Sequence, residues 1–528
     1  MSLYYLKLNV KIEPLIWQWY AWPYLISPAT AACNIVDRHL QIMESYLLMP
    51  QVHTQAVKNP ELLGGPYADL NGEYLDEVEA LLNRTKEECT NLIKLNDSLK
   101  EVDRMLQSKC HGSSMEGLYS LIPDNLKGFV ELVYDLNNHP SIRLIEGLIY
   151  KSFDTSSSQS ITISFIESDD RPFVLSTPYI EKPNELNVKL PFADKAIDAF
   201  VKLREQPQSL EVINKMFEVS EGKKELFNSF LTTTAPQLGE NKEYSGEEVR
   251  IRYFGHACLL LQTSNISILI DPVISYDFGS EIPRFSFKDL PEKVDYVLIT
   301  HNHQDHVLIE TLLQIRHKVK NVVFAGNNKG FLADPSLKLI LRQLGFNSLI
   351  ALDDFESLAI TDGEIIGLPF FGEHSDLNIQ SKLAYYINLK GKKIVVVADS
   401  NNIEPKLYYR LFSYIGAVDI LFVGMECDGA PLTWLYGPLL SNEIEKDHDN
   451  SRTLSGSNFE KAWLLAQQSQ CKQAYVYAMG QEPWLNYIMA LKYTKDSIQI
   501  TESDKFIETC NNNNIASERL FGKKEWSI

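Results

Sequence analysis

Four side chains of the kind that bind divalent metals stand within six residues, directly after an apolar run. The run Val297–Thr300 predicts a buried strand, and His301, His303, Asp305 and His306 follow it. Imidazole nitrogens and carboxylate oxygens suit zinc or iron. Because packing rarely requires four such groups at a strand-to-helix junction, we predict a site for two adjacent metal ions. His301 and His303 would bind one ion, and Asp305 and His306 would bind the other.

Residues farther along the chain could complete this metal site. Glu373 and His374 follow an apolar segment, and their adjacent positions leave open which of them binds a metal. Asp399 follows the apolar run VVVA, where its carboxylate could bridge two ions or, alternatively, cap a helix or a turn. His448 is the only histidine downstream of Asp399, and a metal ligand and an ordinary loop residue are equally good interpretations of it.

Two further residues are candidates for hydrogen-bond partners that orient the metal ligands. His256 lies in the segment FGHACLL and Asp271 in the segment LIDP, both beside predicted strands. Partners of this kind fix the ring orientation and the tautomer of a ligating histidine. A simple buried packing role is an equally good interpretation of His256.

The composition excludes several classes of function. Lys and Arg number 50 against 69 Asp and Glu, so the formal charge is −19, which argues against nucleic acid as the main partner. No apolar run approaches the about 20 residues needed to cross a bilayer, and the N-terminus lacks the pattern of a secretory signal. Seven scattered cysteines without a C-x-x-C pair argue against a disulfide framework or a cysteine zinc site. We therefore expect a cytoplasmic protein with neither a membrane nor a nucleic-acid partner.

The sequence pattern changes within residues 231–248, a polar segment that contains a proline and two glycines. The chain before this segment reads as helix-rich. We expect a helix over residues 116–137 and a strand pair at residues 160–165 and 173–179. The chain after it contains short β-rich runs that alternate with helical patterns, which predicts two sheets covered by helices.

The motif H-x-H-x-D-H at residues 301–306, with Asp271 upstream and Asp399 downstream, resembles the metallo-β-lactamase superfamily. The resemblance covers about residues 249–490. It implies an α/β fold, the αββα sandwich with metals at the edge of the sheets, here preceded by a separate helix-rich α+β N-terminal domain. It does not imply one reaction, because this fold hosts hydrolases, nucleases, redox proteins and oxygenases.

Within this superfamily, the chain more specifically resembles the diiron β-hydroxylases of antibiotic biosynthesis, the group that includes the chloramphenicol-pathway enzyme. Glu373 stands where hydrolytic relatives usually have a histidine, and the segments GMECDGAPLTWLYG and YAMGQEPW are also similar to that group. The resemblance implies a non-haem diiron monooxygenase. Such an enzyme uses O₂ and two external electrons to β-hydroxylate an amino acid held as a thioester on a nonribosomal peptide synthetase carrier domain.

The same resemblance implies partners and a division of labour along the chain. The expected partners are an aminoacyl-loaded carrier domain, an external electron donor and a second copy of the chain in a homodimer. Residues 1–240 would form the docking and dimerisation domain, and residues 249–528 the diiron catalytic domain.

The resemblance also implies an oxo- or hydroxo-bridged pair of irons and a ligand for each position. Glu373 and Asp399 are the two residues on which catalysis would depend. The expected ligands are His301, His303 and Glu373 on one iron, Asp305, His306 and His448 on the other, and Asp399 between them.

Glu373 also separates the leading hypothesis from its alternative. Hard carboxylate oxygens stabilise ferric over ferrous iron, which suits an oxygenase. A third neutral histidine would instead fit a dizinc site that activates a water for hydrolysis. The alternative is therefore a dizinc hydrolase of the phospholipase, lactonase or phosphodiesterase type. A non-enzymatic scaffold is disfavoured because no ligand of the motif is missing.

Overall fold

A computed structural model describes residues 2–528 of the chain, and its N-terminal half is helix-rich with three small sheets. The strands are β1 (Leu3–Leu6), β2 (Val10–Ile16), β3 (Trp19–Tyr20), β4 (Val130–Tyr134), β5 (Pro140–Leu144), β6 (Gln159–Phe165), β7 (Leu186–Lys189), β8 (Gln208–Ser209) and β9 (Leu231–Thr232). The helices are α1 (Pro23–Ile26), α2 (Pro28–Asn34), α3 (Gln41–Leu48), α4 (Pro50–Ala56), α5 (Leu75–Glu88), α6 (Thr90–Lys109), α7 (Glu146–Ser152), α8 (Lys195–Lys202), α9 (Leu210–Ile213) and α10 (Lys224–Ser229). A π-helical turn, Ile35–Leu40, joins α2 to α3.

The longest helix of this half, α6, is amphipathic. Its buried apolar residues recur at spacings of three and four, which places them on one face toward α2. They are Leu92, Leu95, Leu99, Val102 and Leu106. The opposite face is charged. Within residues 2–528 no helix has both the length and the apolar character that crossing a bilayer requires.

Two local predictions for this half are wrong. The predicted strand at 173–179 is irregular, because its backbone bonds to other segments: Val174 N–H donates to Tyr487 O and Tyr179 N–H to Gln18 O. Strand β6 instead pairs with β2 and β7. The predicted helix at 116–137 is a short 3₁₀ turn followed by β4, because a proline and a glycine interrupt the segment IPDNLKG.

The C-terminal half contains two seven-stranded sheets. The strands are β10 (Arg250–Gly255), β11 (Cys258–Gln262), β12 (Ser267–Ile270), β13 (Val294–Leu298), β14 (Val319–Ala325), β15 (Leu349–Leu352), β16 (Ser357–Ile360), β17 (Gly363–Leu368), β18 (Ala384–Leu389), β19 (Lys392–Val396), β20 (Ile420–Gly424), β21 (Gln473–Tyr477), β22 (Ala516–Arg519) and β23 (Lys524–Ser527). The helices are α11 (Ile309–Ile315), α12 (Leu337–Gln343), α13 (Pro405–Ile415), α14 (Leu432–Tyr436), α15 (Lys446–Ser451), α16 (Phe459–Ser469), α17 (Asn486–Met489) and α18 (Ile498–Asn512).

The two sheets face each other across an apolar core. The first has the order β15-β14-β13-β12-β11-β10-β23, and the second runs in chain order from β16 to β22. Leu259, Ile270, Tyr385 and Phe422 are among the buried residues between them. Helices α13, α16 and α18 cover the outer face of the second sheet, while α11 and α12 cover that of the first. The result is an αββα sandwich.

The N-terminal half packs on the outer side of the first sheet through a continuous core. Buried residues of the first half, such as Ile12, belong to the same apolar cluster as Leu260 and Leu269 of the first sheet. Arg171 adds a buried ionic link, since its guanidinium lies 2.6 Å from Glu13 and 2.9 Å from Glu310 of α11. The two halves therefore share one hydrophobic core, and their division near residues 231–248 as separate domains stays a prediction.

Candidate metal centre

The metal-binding candidates lie at the carboxyl ends of parallel strands. Strands β12 and β13 are parallel in the first sheet, and β19 and β20 are parallel in the second. Asp271 directly follows β12, the motif 301–306 follows β13, Asp399 follows β19 and Glu426 follows β20. Carboxyl ends of parallel strands are the edge at which α/β sheets bind ligands. The fold thus brings residues more than 120 positions apart to one place.

Six of the seven predicted ligands converge into one buried cluster. Two sets of donor atoms share His301, and within each set the atoms lie within 4.8 Å of one another. The first set is His301, His303 and Glu373, and the second is His301, His306 and Asp399. Asp305 joins His306 in a third set that includes His256. Two adjacent cation positions are therefore available.

Buried donor atoms without hydrogen-bond partners fit this set to cations. His301 Nε2, His306 Nε2, Glu373 Oε2 and Asp399 Oδ1 are all buried, and none has a hydrogen-bond partner. Leaving such groups unpaired in the interior is costly, so native proteins satisfy nearly all of them. A metal ion among these atoms would satisfy the nitrogens and the carboxylates together. The mixed imidazole and carboxylate donors suit iron or zinc.

Hydrogen bonds outside the cluster direct the correct ring nitrogens inward. His306 Nδ1 donates to Asp271 Oδ2 at 2.8 Å, which leaves its Nε2 facing Asp399 Oδ2 at 2.9 Å. Asp271 is itself held, because Thr300 donates to it from its backbone N–H at 2.8 Å and from its hydroxyl at 2.6 Å. His301 Nδ1 lies 3.0 Å from the same hydroxyl, so its Nε2 also faces the cluster.

His256 has an orienting role as well as a buried position. The backbone N–H of Gly480 donates to His256 Nδ1 at 3.1 Å, so the ring proton of a neutral His256 lies on Nε2. That nitrogen is 3.0 Å from Asp305 Oδ2 and donates to it. Asp305 is thereby restrained at Oδ2, the oxygen that also lies 3.4 Å from His306 Nε2.

Glu373 is presented by a strained loop. Gly372, Glu373, Ser375 and Asp376 all have left-handed backbone, with φ of 72°, 68°, 51° and 61°. Such conformations cost free energy in residues other than glycine and persist only where the surroundings impose them. Arg452 donates to the carbonyl oxygen of Ser375 at 2.6 and 3.0 Å, one contact that holds the loop in this shape.

The electrostatic environment is rich in carboxylates. Burial raises the pKa of Glu426 well above its usual value, and the nearby carboxylates Asp399, Asp305 and Glu373 raise it further. Burial also raises the pKa of Glu373, although His303 opposes this. Burial, together with the neighbouring His306, lowers the pKa of His301 well below its usual value, which keeps that ring neutral and able to bind a metal. Bound cations would offset the surplus of negative charge.

A cavity of about 890 Å³ opens onto the cluster. Its inner wall includes Asp305, Glu373 and Asp399. Both halves of the chain build the rest, with Phe173 from the first half and Trp434 from the second. The volume lies within the range of about 300–1,000 Å³ typical of small-molecule sites.

Comparisons with known proteins agree with this geometry. The family model for the diiron non-heme β-hydroxylase N-terminal domain matches residues 5–236, and that for a β-lactamase superfamily domain matches residues 250–425. The 4-amino-L-phenylalanyl (CmlP-peptidyl-carrier-protein) 3-hydroxylase of Streptomyces venezuelae is 36% identical over 523 residues, which are 98% of each chain. This chain belongs to the diiron β-hydroxylase family.

Solved structures of this family share the whole fold. The crystal structure of CmlA, a diiron β-hydroxylase from Streptomyces venezuelae, superimposes with a TM-score of 0.93 at 35% identity and covers 100% of both chains. The expected fold class is confirmed: a helix-rich α+β N-terminal domain and a metallo-β-lactamase αββα sandwich. A metal-dependent hydrolase of Flavobacterium johnsoniae is 28% identical over only 27% of this chain and 65% of its own length.

Among the ligands expected for a diiron β-hydroxylase, His448 is the one that the structure does not bring to the cluster. Its side chain is exposed on α15, a short helix that begins after a polar loop. Helix α15 contacts α14 instead: Asp449 accepts hydrogen bonds from the backbone N–H and the hydroxyl of Thr433. Of the residues expected on the second iron, the structure therefore brings together Asp305 and His306, with Asp399 beside His306.

No role was predicted for Glu426 from the sequence, although it lies in the segment GMECDGAPLTWLYG, which is similar to the diiron β-hydroxylases. Glu426 lines the cavity beside Asp399. It stands two residues after β20, much as Asp399 stands three residues after the parallel strand β19. A search for carboxylates just after predicted apolar strands would have found it. It belongs to none of the three donor sets, so it is a cavity residue beside the metal cluster.

Proposed function

We propose that this diiron β-hydroxylase homologue hydroxylates the β-carbon of an amino acid held as a thioester on a nonribosomal peptide synthetase carrier domain, using O₂ and two electrons from an external donor. The observation that carries the proposal is the carboxylate of Glu373 in the same donor set as His301 and His303. The full-length similarity to a hydroxylase named for a carrier-bound substrate supports it.

The residues present fit a pair of iron ions. His301, His303 and Glu373 would hold one ion, Asp305 and His306 the other, and Asp399 would bridge them. A bridging role agrees with the position of Asp399 Oδ2, which is 2.9 Å from His306 Nε2 and 3.7 Å from His301 Nε2. When bound, ferrous ions would supply the redox chemistry that activates O₂, which no amino-acid side chain can provide.

The chain's own groups would position the reactants. Asp271 and Thr300 hold two histidine rings with Nε2 inward, and His256 holds the carboxylate of Asp305. The cavity lets a tethered aminoacyl group reach the cluster, because its walls include both the metal-site carboxylates and apolar surface. His301 and His306 are fully buried and do not line the cavity, so the cluster meets the cavity mainly through its carboxylates.

The carrier domain, the electron donor and a second copy of the chain are the partners in this proposal. The N-terminal half contributes Arg38, Tyr67 and Phe173 to the cavity, which supports a role in admitting the tethered substrate. In this proposal, residues 1–240 form the docking and dimerisation unit, and residues 249–528 form the diiron catalytic unit.

Metal analysis and spectroscopy test the proposal. The anaerobically purified, iron-loaded protein should hold two irons per chain and show ferric charge-transfer absorption after O₂ exposure. Product analysis should find one added oxygen only when an aminoacyl-loaded carrier domain is present. A colourless protein that holds two zinc ions in its native host and cleaves esters would overturn the proposal in favour of the dizinc hydrolase.

A further inference from the structure

One wall of the cavity beside the metal cluster is the segment 488–493. All six residues of this segment line the cavity, and the segment runs from a buried isoleucine to the exposed Lys492. Gly64 of the first half lies across the cavity, with a φ of 81° that favours glycine. A methyl group on Gly64 would lie 3.4 Å from Ala490 Cβ and 3.7 Å from the ring of Trp434. The walls from the two halves thus come into near contact at Ala490, and Lys492 lies at the solvent end of the same segment.

Among residues 2–528, Lys492 is the one cation of the cavity wall without a partner. The wall has a second cation, the guanidinium of Arg38, but this group is buried. It donates to the carbonyl oxygens of Trp434 at 2.5 Å and of Leu435 at 3.1 Å. The ammonium of Lys492 is exposed and makes no ion pair or hydrogen bond with the described chain. It is therefore free to bind an anion at the mouth of the cavity.

The rest of the cavity wall is apolar or acidic. The apolar side chains come from both halves and are those of Leu62, Leu63, Trp434, Met489 and Leu491. The inner end carries the carboxylates of the metal cluster, and the exposed Glu61 and Asp428 also line the wall. Carboxylates repel a second anion. An anionic group at this mouth therefore depends on the ammonium of Lys492.

We propose that Lys492 binds the phosphodiester through which a carrier domain holds its pantetheine arm. This inference rests on the proposed function, in which the substrate is a thioester of that arm. Such a substrate has an anionic phosphodiester at its outer end, neutral amides along the arm and the α-ammonium of the amino acid at its inner end. The cavity has the complementary order: a cation at the mouth, apolar walls, and carboxylates at the inner end. Lys492 is then a specificity-determining residue for a tethered rather than a free amino acid.

Two small probes test this assignment without O₂ or a carrier domain. They are S-acetylpantetheine and the methyl phosphodiester of S-acetyl-4′-phosphopantetheine, which differ only in the anionic group. The full-length, metal-loaded protein should bind the phosphodiester about tenfold more tightly by calorimetry, the contribution expected of one charge-assisted hydrogen bond. Lys492→Gln should bind the two probes equally. Added salt should weaken the wild-type preference, because the mouth is exposed to solvent.

Lys495→Gln is the matched control, because Lys495 is exposed on the same loop and does not line the cavity. This variant should keep the wild-type preference. No preference in the wild-type protein, or an unchanged preference in Lys492→Gln, would overturn the inference. Equal wild-type affinities for the phosphodiester and for inorganic phosphate would also overturn it, because they would indicate a general anion site. A preference that depends on Lys492, together with no hydroxylation on any aminoacyl-loaded carrier, would instead contradict the proposed function alone.

Discussion

At the scale of single residues, the metal cluster depends on where each donor atom faces. Glu373 and Asp399 have different expected roles, because Glu373 shares a donor set with His301 and His303 while Asp399 lies between His301 and His306. A ligand to one ion and a bridge between two ions should respond differently to substitution. Two predictions separate these roles.

Substituting Glu373 should remove activity without unfolding the protein. We expect Glu373→Ala to lower hydroxylation by at least about 100-fold, the upper range for groups that support a metal site. The melting temperature should change little, because the substitution removes a single side chain and leaves the large apolar core intact. Product analysis and thermal melts measure both effects, with the exposed Glu443→Ala as the control. Loss of folded protein would contradict the second expectation.

Substituting Asp399 should affect both metal ions together. Its Oδ2 lies within 3.7 Å of His301 Nε2 and His306 Nε2, so an amide in that place weakens both positions. We expect Asp399→Asn to lower the occupancy of both ions in parallel when the metal content is measured across a titration. Loss of one ion with full retention of the other would show that Asp399 does not bridge.

At the scale of elements, the loops at the strand ends decide how firmly the ligands are held. The loop that presents Glu373 contains three residues other than glycine in left-handed backbone. The guanidinium of Arg452 restrains this loop by donating to the carbonyl oxygen of Ser375. Strain of this kind is maintained by contacts outside the loop. Removing one of these contacts should therefore lower the metal affinity more than it lowers the stability of the fold.

Loosening this loop should weaken metal binding selectively. We expect Arg452→Met to raise the dissociation constant of the ion bound by Glu373 by about 10- to 100-fold, as for other partners of metal ligands. Arg410→Met, which removes an exposed arginine from α13, is the matched control and should bind metal normally. Equal affinities for the two variants, measured by competition with a chelator, would rule out this role for Arg452.

At the scale of the whole molecule, the two halves are joined by one core and a buried ionic link. Arg171 pairs with Glu13 of the first half and Glu310 of the second, and its guanidinium lies over the ring of Tyr487 at 3.4 Å. Removing one partner of a buried pair leaves an uncompensated charge, at a cost of about 3–5 kcal/mol. The cavity wall depends on this junction, because Ile488 beside Tyr487 lines it.

The shared core predicts a single thermal transition that depends on Arg171. Calorimetry of the full chain should show both halves unfolding together, and Arg171→Met should lower the temperature of that transition. Lys215→Met, which breaks an exposed pair with Glu211, should leave it unchanged. Two well-separated transitions in the wild-type protein would show that the halves are independently stable domains.

Local sequence patterns were sufficient to predict several features of this protein. An apolar run followed by H-x-H-x-D-H specified a metal site at a strand end, and the alternation of strands and helices specified the sheets. Spacing could not specify which distant residues join the site. Tertiary structure left His448 on the surface, placed Glu426 beside Asp399 and set Tyr436 between His303 and His374. Those contacts depend on which strand ends meet and how loops pack, and this is a property of the folded chain rather than of any short segment.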